Sequence, residues 1–103
     1  MPDRLARLLK MLQADPKDVF LNYSLGMEYA SLMRHQEAAD QFRKCIELDR
    51  SYLAAYVEAG KSLRAAGKLD DARAIFTEGL ALAAAKGDGH LRDHIQQQLE
   101  GLG

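Results

Sequence analysis

An all-α fold of antiparallel helical hairpins is predicted by three observations. Ala and Leu dominate the 103-residue chain and β-branched residues are few, which favours helix over strand. Apolar stripes recur at helical spacing. The chain also repeats itself at one fixed period: Gly26 returns as Gly60, Ala38 as Ala72, Phe42 as Phe76 and Leu48 as Leu82. Only four of the 34 aligned positions between 19–52 and 53–86 are identical, so their placement is what counts. Each stands where two helices approach closely or one large side chain fills a gap, and such a period marks stacked helical hairpins. One domain of six helices and no sheet is expected.

The first helix is expected over 3–15. Leu5, Leu8, Leu9 and Leu12 form one stripe, Asp3 is a suitable cap, and Asp15-Pro16 is the stop. At that length it is marginal alone and must lean on the second helix. That second helix should run from Pro16 or Lys17 to Met33 and turn Leu25, Gly26, Tyr29 and Met33 inward. A mid-helix glycine costs about 1 kcal/mol relative to alanine, so Gly26 is expected to admit a neighbouring backbone.

A polar break at Arg34, His35 and Gln36 leads into a third helix, Gln36 to Asp49, with Ala38, Phe42, Cys45, Ile46 and Leu48 buried. Pairs such as Asp40–Lys44 and Arg43–Glu47 should lace its wet face. The fourth helix begins near Ser51, carries Tyr56, Ala59, Gly60 and Leu63, and is closed by Gly67 at C′. The fifth starts near Leu69 with Asp70 and Asp71 in its first turn. It buries Ala72, Ile75, Phe76, Leu80 and Leu82 and ends at Lys86-Gly87. Asp88 then opens a last helix over 88–100.

Charge excludes several functions. Net charge is −1, from 14 basic and 15 acidic residues spread evenly, so no basic stripe awaits nucleic acid. Charges interrupt the apolar pattern between Met1 and Pro16, unlike a signal peptide, and no later stretch is apolar enough to span a bilayer. No membrane partner is expected, and a cytoplasmic location is the default. Cys45, the sole cysteine, permits no intramolecular disulfide.

Catalytic motifs find little support. His90 and His94 stand at i and i+4, the spacing of two metal ligands, but no third strong ligand follows beyond Asp93. Cys45 with His35 as base lacks a recognisable spacing and reads better as a small core residue. Gly87-x-Gly89 is too short to cradle phosphate. No enzyme and no cofactor are expected.

Two stretches, Asn22-x2-Leu25-Gly26-x2-Tyr29 with Ala38-x3-Phe42, and Tyr56-x2-Ala59-Gly60-x2-Leu63 with Ala72-x3-Phe76, resemble the tetratricopeptide repeat (TPR) family. The resemblance implies a short right-handed solenoid: a half-repeat helix at 3–15, repeats at 19–52 and 53–86, and a capping helix at 88–100. Asn22 departs from the usual bulky aromatic, and Tyr23 is expected to compensate. In strict register the last helix would turn His90, Asp93, His94 and Gln97 inward. Its apolar stripe is instead Leu91, Ile95, Leu99 and Leu102, so a shifted register is expected, with Arg92, Asp93, Gln96 and Gln97 facing water.

The resemblance further implies a concave groove that holds a peptide or partner helix. Phe20, Tyr23, Met27 and Ala30 fall at groove positions of the first unit, and Ala54, Val57, Lys61 and Arg64 at those of the second. That gives an apolar half beside a basic half, suited to a segment with hydrophobic anchors and an acidic end. The carboxylate clamp of some chaperone-binding TPR domains needs lysine and asparagine where Tyr23 and Met27 stand, which argues against chaperone tails. The competing reading makes the same apolar residues a homodimer surface, or packs them beneath the terminal helices. A metal site at His90 and His94 is a weaker third.

Overall fold

The computed structural model describes residues 3–103 as six helices: α1 Asp3–Ala14, α2 Val19–Ser31, α3 His35–Leu48, α4 Leu53–Ala65, α5 Leu69–Lys86 and α6 Gly89–Gly101. No strand occurs among the described residues. Each helix packs on its neighbours in sequence, and α2 additionally touches α4, giving a slab of 37 × 27 × 19 Å. This is the all-α solenoid of stacked hairpins that the sequence predicts. The cap expected from the Asp3 side chain lies outside the described residues.

Several helix ends differ from the sequence expectation for identifiable reasons. α2 begins at Val19 rather than at the proline because Asp18 caps it, its Oδ1 accepting from Leu21 N at 2.9 Å. Asp49 lies outside α3, held as a loop residue by the Ser51 backbone N and hydroxyl, so Ser51 does not start α4. α6 does open on Asp88, whose Oδ1 accepts from Leu91 N at 3.0 Å.

Met33 is not an inward residue. α2 ends at Ser31, and Met33 stands 77% exposed at φ +60°. Its backbone N donates to Ala30 O and that of Arg34 to Tyr29 O, the bond pair that closes a helix through a left-handed residue. Gly67 does the same for α4 at φ +80°, with Gly67 N on Arg64 O and Lys68 N on Leu63 O. The repeat thus dictates the turn, and the first unit places a methionine where glycine is strain-free, at a cost of about 1 kcal/mol.

Other expectations also fail at the surface. Leu9 is exposed, while Leu48, Leu80 and Leu82 are only half-buried; Gly79 and Ala83 take the inward places on α5. Among the described residues neither Asp40–Lys44 nor Arg43–Glu47 forms an ion pair; Asp40 accepts from Gln36 Nε2 instead. Arg34 forks onto Glu37 and lies 4.9 Å over the Tyr29 ring. On α1, Leu8 is buried and Arg4 reaches Glu28 of α2 at 3.2 Å, so the short helix does lean on α2.

The core is built on glycine against phenylalanine. A Cβ added at Gly26 would lie 2.6 Å from Cε1 of Phe42, and one at Gly60 closer still to Phe76. What approaches Gly26 is therefore a ring, not a backbone. Both rings are fully buried, as are Ala38 and Ala72 one turn earlier on the same helices.

A second size match follows the repeat. Tyr56 faces Gly79, where an added Cβ would sit 2.9 Å from the tyrosine Cβ. The equivalent pair one repeat earlier is Asn22 and Cys45, smaller against larger. Both polar tips reach the equivalent carbonyl: Tyr56 Oη donates to Arg50 O at 2.7 Å, and Asn22 Nδ2 to Pro16 O at 3.1 Å. Tyr23 does not fill the place of the missing ring, because it packs on Phe42 and Tyr52 with ring centroids 5.5 and 5.3 Å away.

α6 docks out of register with the repeat. The starts of α3 and α4 are offset by 18 (53 − 35), whereas those of α5 and α6 are offset by 20 (89 − 69). Ile95 then takes the place of Leu25 and Ala59, and Leu99 that of Tyr29 and Leu63. Ile95 is fully buried, Leu91, Leu99 and Leu102 pack against the core, and Arg92, Asp93, Gln96 and Gln97 face water.

Replacing Gly26 by alanine is predicted to destabilise the protein by up to about 2 kcal/mol in chemical denaturation. Overpacking costs about 1–3 kcal/mol, and better helix propensity offsets roughly 1 kcal/mol of it. In a Phe42→Leu background the ring is gone, and the same substitution should be neutral or stabilising. Equal losses in both backgrounds would contradict the ring contact.

Candidate functional site

The residues expected to line a groove lie on α2 and α4, the first helices of their pairs, which touch each other. A concavity of about 290 Å³ opens between the C-terminal halves of these helices, bounded by Ala30 of α2 and Glu58, Lys61 and Arg64 of α4. His35, at the start of α3, closes one side.

The structure sorts the expected residues into three groups. Lys61 and Arg64 come together at the concavity with Ala30. Phe20, 68% exposed, and Met27, 39% exposed, stand on α2 outside it. Met27 is one turn from Ala30, whereas Phe20 is ten residues away, about 15 Å along a helix. Tyr23 is half-buried against Phe42 and Tyr52, and Ala54 is half-buried too. Val57 is only 5% exposed and offers little surface.

Sequence spacing misses His35 and Glu58. A signal for Glu58 exists, since it lies one turn before Lys61 on α4. His35 gives none, because its place beside the concavity depends on where α3 begins.

The electrostatics leave the basic end available. Lys61 Nζ lies 3.8 Å from Glu58 Oε2, a loose pair, and Arg64 forms no ion pair among the described residues. Burial pushes the Tyr23 phenol up to about 12, with the carboxylate of Glu58 adding to the effect. Tyr23 is therefore a neutral hydroxyl at any physiological pH.

The other candidates remain apart. Cys45 is fully buried with Sγ 3.7 Å from Val19 O, and burial raises its thiol to about 11. His35 is ten residues away on the same helix, about 15 Å, too far to act as its base. His90 is exposed and His94 half-buried on α6, and no group of three or more His, Cys, Asp or Glu forms among the described residues. No described helix is long and apolar enough to cross a membrane.

Comparison with known proteins agrees with this architecture. A family model for the tetratricopeptide repeat matches residues 21–52. A TPR repeat-containing protein of Pseudomonas aeruginosa is 37% identical over 81 residues, covering 79% of this chain and 77% of the relative. A Bordetella parapertussis protein solved in solution is 30% identical, with TM-score 0.82 over 95% of this chain and 85% of that one. PcrH, solved in complex with the chaperone binding region of PopD, superposes with TM-score 0.88 over 97% of this chain and 76% of its own, at 23% identity.

Two titrations check this geometry. The Cys45 thiol should react with Ellman's reagent at pH 8 far more slowly in the folded protein than in denaturant; equal rates would contradict its burial. Tyr23 has a folded pKa above its unfolded value near 10, so its contribution to stability is complete below pH 10 and lost as pH rises towards 12. Tyr23→Phe should flatten the stability curve across that window, and an unchanged slope would contradict the assignment.

Proposed function

The chain belongs to the tetratricopeptide repeat family, and on that footing we propose that it is a non-enzymatic protein–protein interaction module. It holds an extended or helical segment of a partner along the face of α2 and α4. Phe20 and Met27 receive apolar anchors, Tyr23 and Val57 support them, and Lys61 and Arg64 receive an acidic end.

The observation that carries this reading is the exposure of Phe20 and Met27 on α2, the helix that borders the concavity with available basic groups. Large exposed apolar side chains beside polar rims mark interaction surfaces. Anchors give most of the binding energy, whereas rim charges steer association and set register. The complex of PcrH with a PopD segment supports the use of this architecture for segment capture. Self-association through the same face is the second reading, and the exposure of Phe20 and Met27 serves it as well.

Selection of short random peptides on the wild-type protein tests the proposal. The enriched sequences should pair one or two large apolar residues with Asp or Glu. Phe20→Ala and Lys61→Glu should each weaken binding about tenfold, corresponding to roughly 1.4 kcal/mol, and the Lys61 effect should shrink at high salt. Peptides that bind both variants as tightly as wild type would overturn it.

A further inference from the structure

Two polar residues are buried among the described ones, Asn22 and Ser62. Asn22 spends its amide on the backbone, Nδ2 donating to Pro16 O and Asp18 O at 3.1 and 2.8 Å. Ser31 and Thr77 turn their hydroxyls back onto carbonyls of their own helices. The Ser62 hydroxyl, on a residue 5% exposed, makes no hydrogen bond to any described residue. The unpaired oxygens sealed from solvent belong to Gln41 and Gln98; that of Ser62 is reachable, and the space its residue borders is the α2–α4 concavity. Buried polar groups are ordinarily paired, so this hydroxyl is open to a partner from outside.

The groups around it are mostly basic. Lys61, Arg64 and His35 line the same concavity, with Glu58 as the acid in its wall. Two cations against one anion give the lining a charge of +1 before His35 is counted. His35 is half-buried at the start of α3. Across the concavity from it stand Glu58, Lys61 and Arg64 of α4, while α2 contributes the uncharged Ala30. The neighbouring Arg34 is forked onto Glu37, so that pair adds no net charge.

We propose that Ser62 and His35 complete, with Lys61 and Arg64, a subsite for one carboxylate of the partner, from an Asp or Glu side chain or a chain terminus. The inference rests on the α2–α4 face being a segment-binding surface, and it names the residues that select the acidic end. The Ser62 hydroxyl donates to the carboxylate, and the cations hold it by charge-assisted hydrogen bonds. A single negative charge matches the lining, whereas a dianion would leave its second charge unpaired beside Glu58. A carboxylate bound there favours the charged form of His35. By linkage, binding then strengthens as pH falls through the histidine range near about 6.5, where Asp and Glu are still ionised.

The test is a titration of the full chain with N-acetylaspartic acid α-amide, N-acetylalanine and sodium sulfate at low ionic strength, followed through backbone amide NMR shifts. The first probe offers a side-chain carboxylate, the second a terminal one and the third a dianion. Saturable shifts at His35, Lys61 and Ser62 are expected with a carboxylate probe, and the tighter of the two identifies the source. Affinity should rise about threefold from pH 7.5 to pH 5.5, and His35→Gln should remove that rise. Ser62→Ala should weaken binding about fivefold at both pH values. These probes carry no apolar anchor, so they test the carboxylate subsite alone; a failure of the anchors at Phe20 and Met27 would show in peptide selection instead. Absence of saturable shifts, tighter binding of sulfate than of either carboxylate at pH 7.5, an affinity indifferent to pH, a rise that survives His35→Gln, or binding untouched by Ser62→Ala would each overturn the proposal.

Discussion

The contact of a phenylalanine ring on a glycine backbone, made once at Gly26–Phe42 and again at Gly60–Phe76, is the constraint on which the molecule depends. It sets how closely α2 meets α3 and α4 meets α5, because no side chain can stand between ring and helix. With Ala38 and Ala72 also buried, each hairpin closes to one geometry. Two hairpins of one geometry, joined by a short connection, stack with their first helices side by side. The groove is a consequence of that stacking.

Around this shared contact the two units differ in ways that balance locally. Tyr56 packs its Cβ closely against Gly79, whereas the equivalent pair, Asn22 and Cys45, carries a Cβ on both residues. The carbonyl that each polar tip reaches is equivalent, so the hydrogen bond is kept although the side chains differ. The last helix solves a similar problem by translation. A longer α5 delays it by two residues, which brings Ile95 and Leu99 into core positions and turns its charged residues outward.

Legibility in the sequence follows the strength of the physical signal. The period, the glycine–phenylalanine positions and the shifted last helix are readable, because burial punishes any other arrangement. Met33 escapes the pattern: its apolar character suggests the core, whereas the turn geometry shared with Gly67 governs its place. The groove is only partly readable. Spacing puts Lys61 and Arg64 on one face, but the depth of Val57 and Tyr23 depends on how neighbouring helices cover them, which spacing alone does not encode. The ion pairs on α3 are unreadable for a related reason: exposed pairs are worth little, so weak local preferences decide among them.

If the α2–α4 face is a surface kept free for another protein, the most direct measurement is the mass of the protein in solution. Light scattering after size exclusion, over a wide range of concentration, should give a monomer near 11.4 kDa. Phe20→Glu should leave that mass unchanged. A stable dimer that Phe20→Glu dissolves would show the face already occupied by a second copy and would contradict its being kept free.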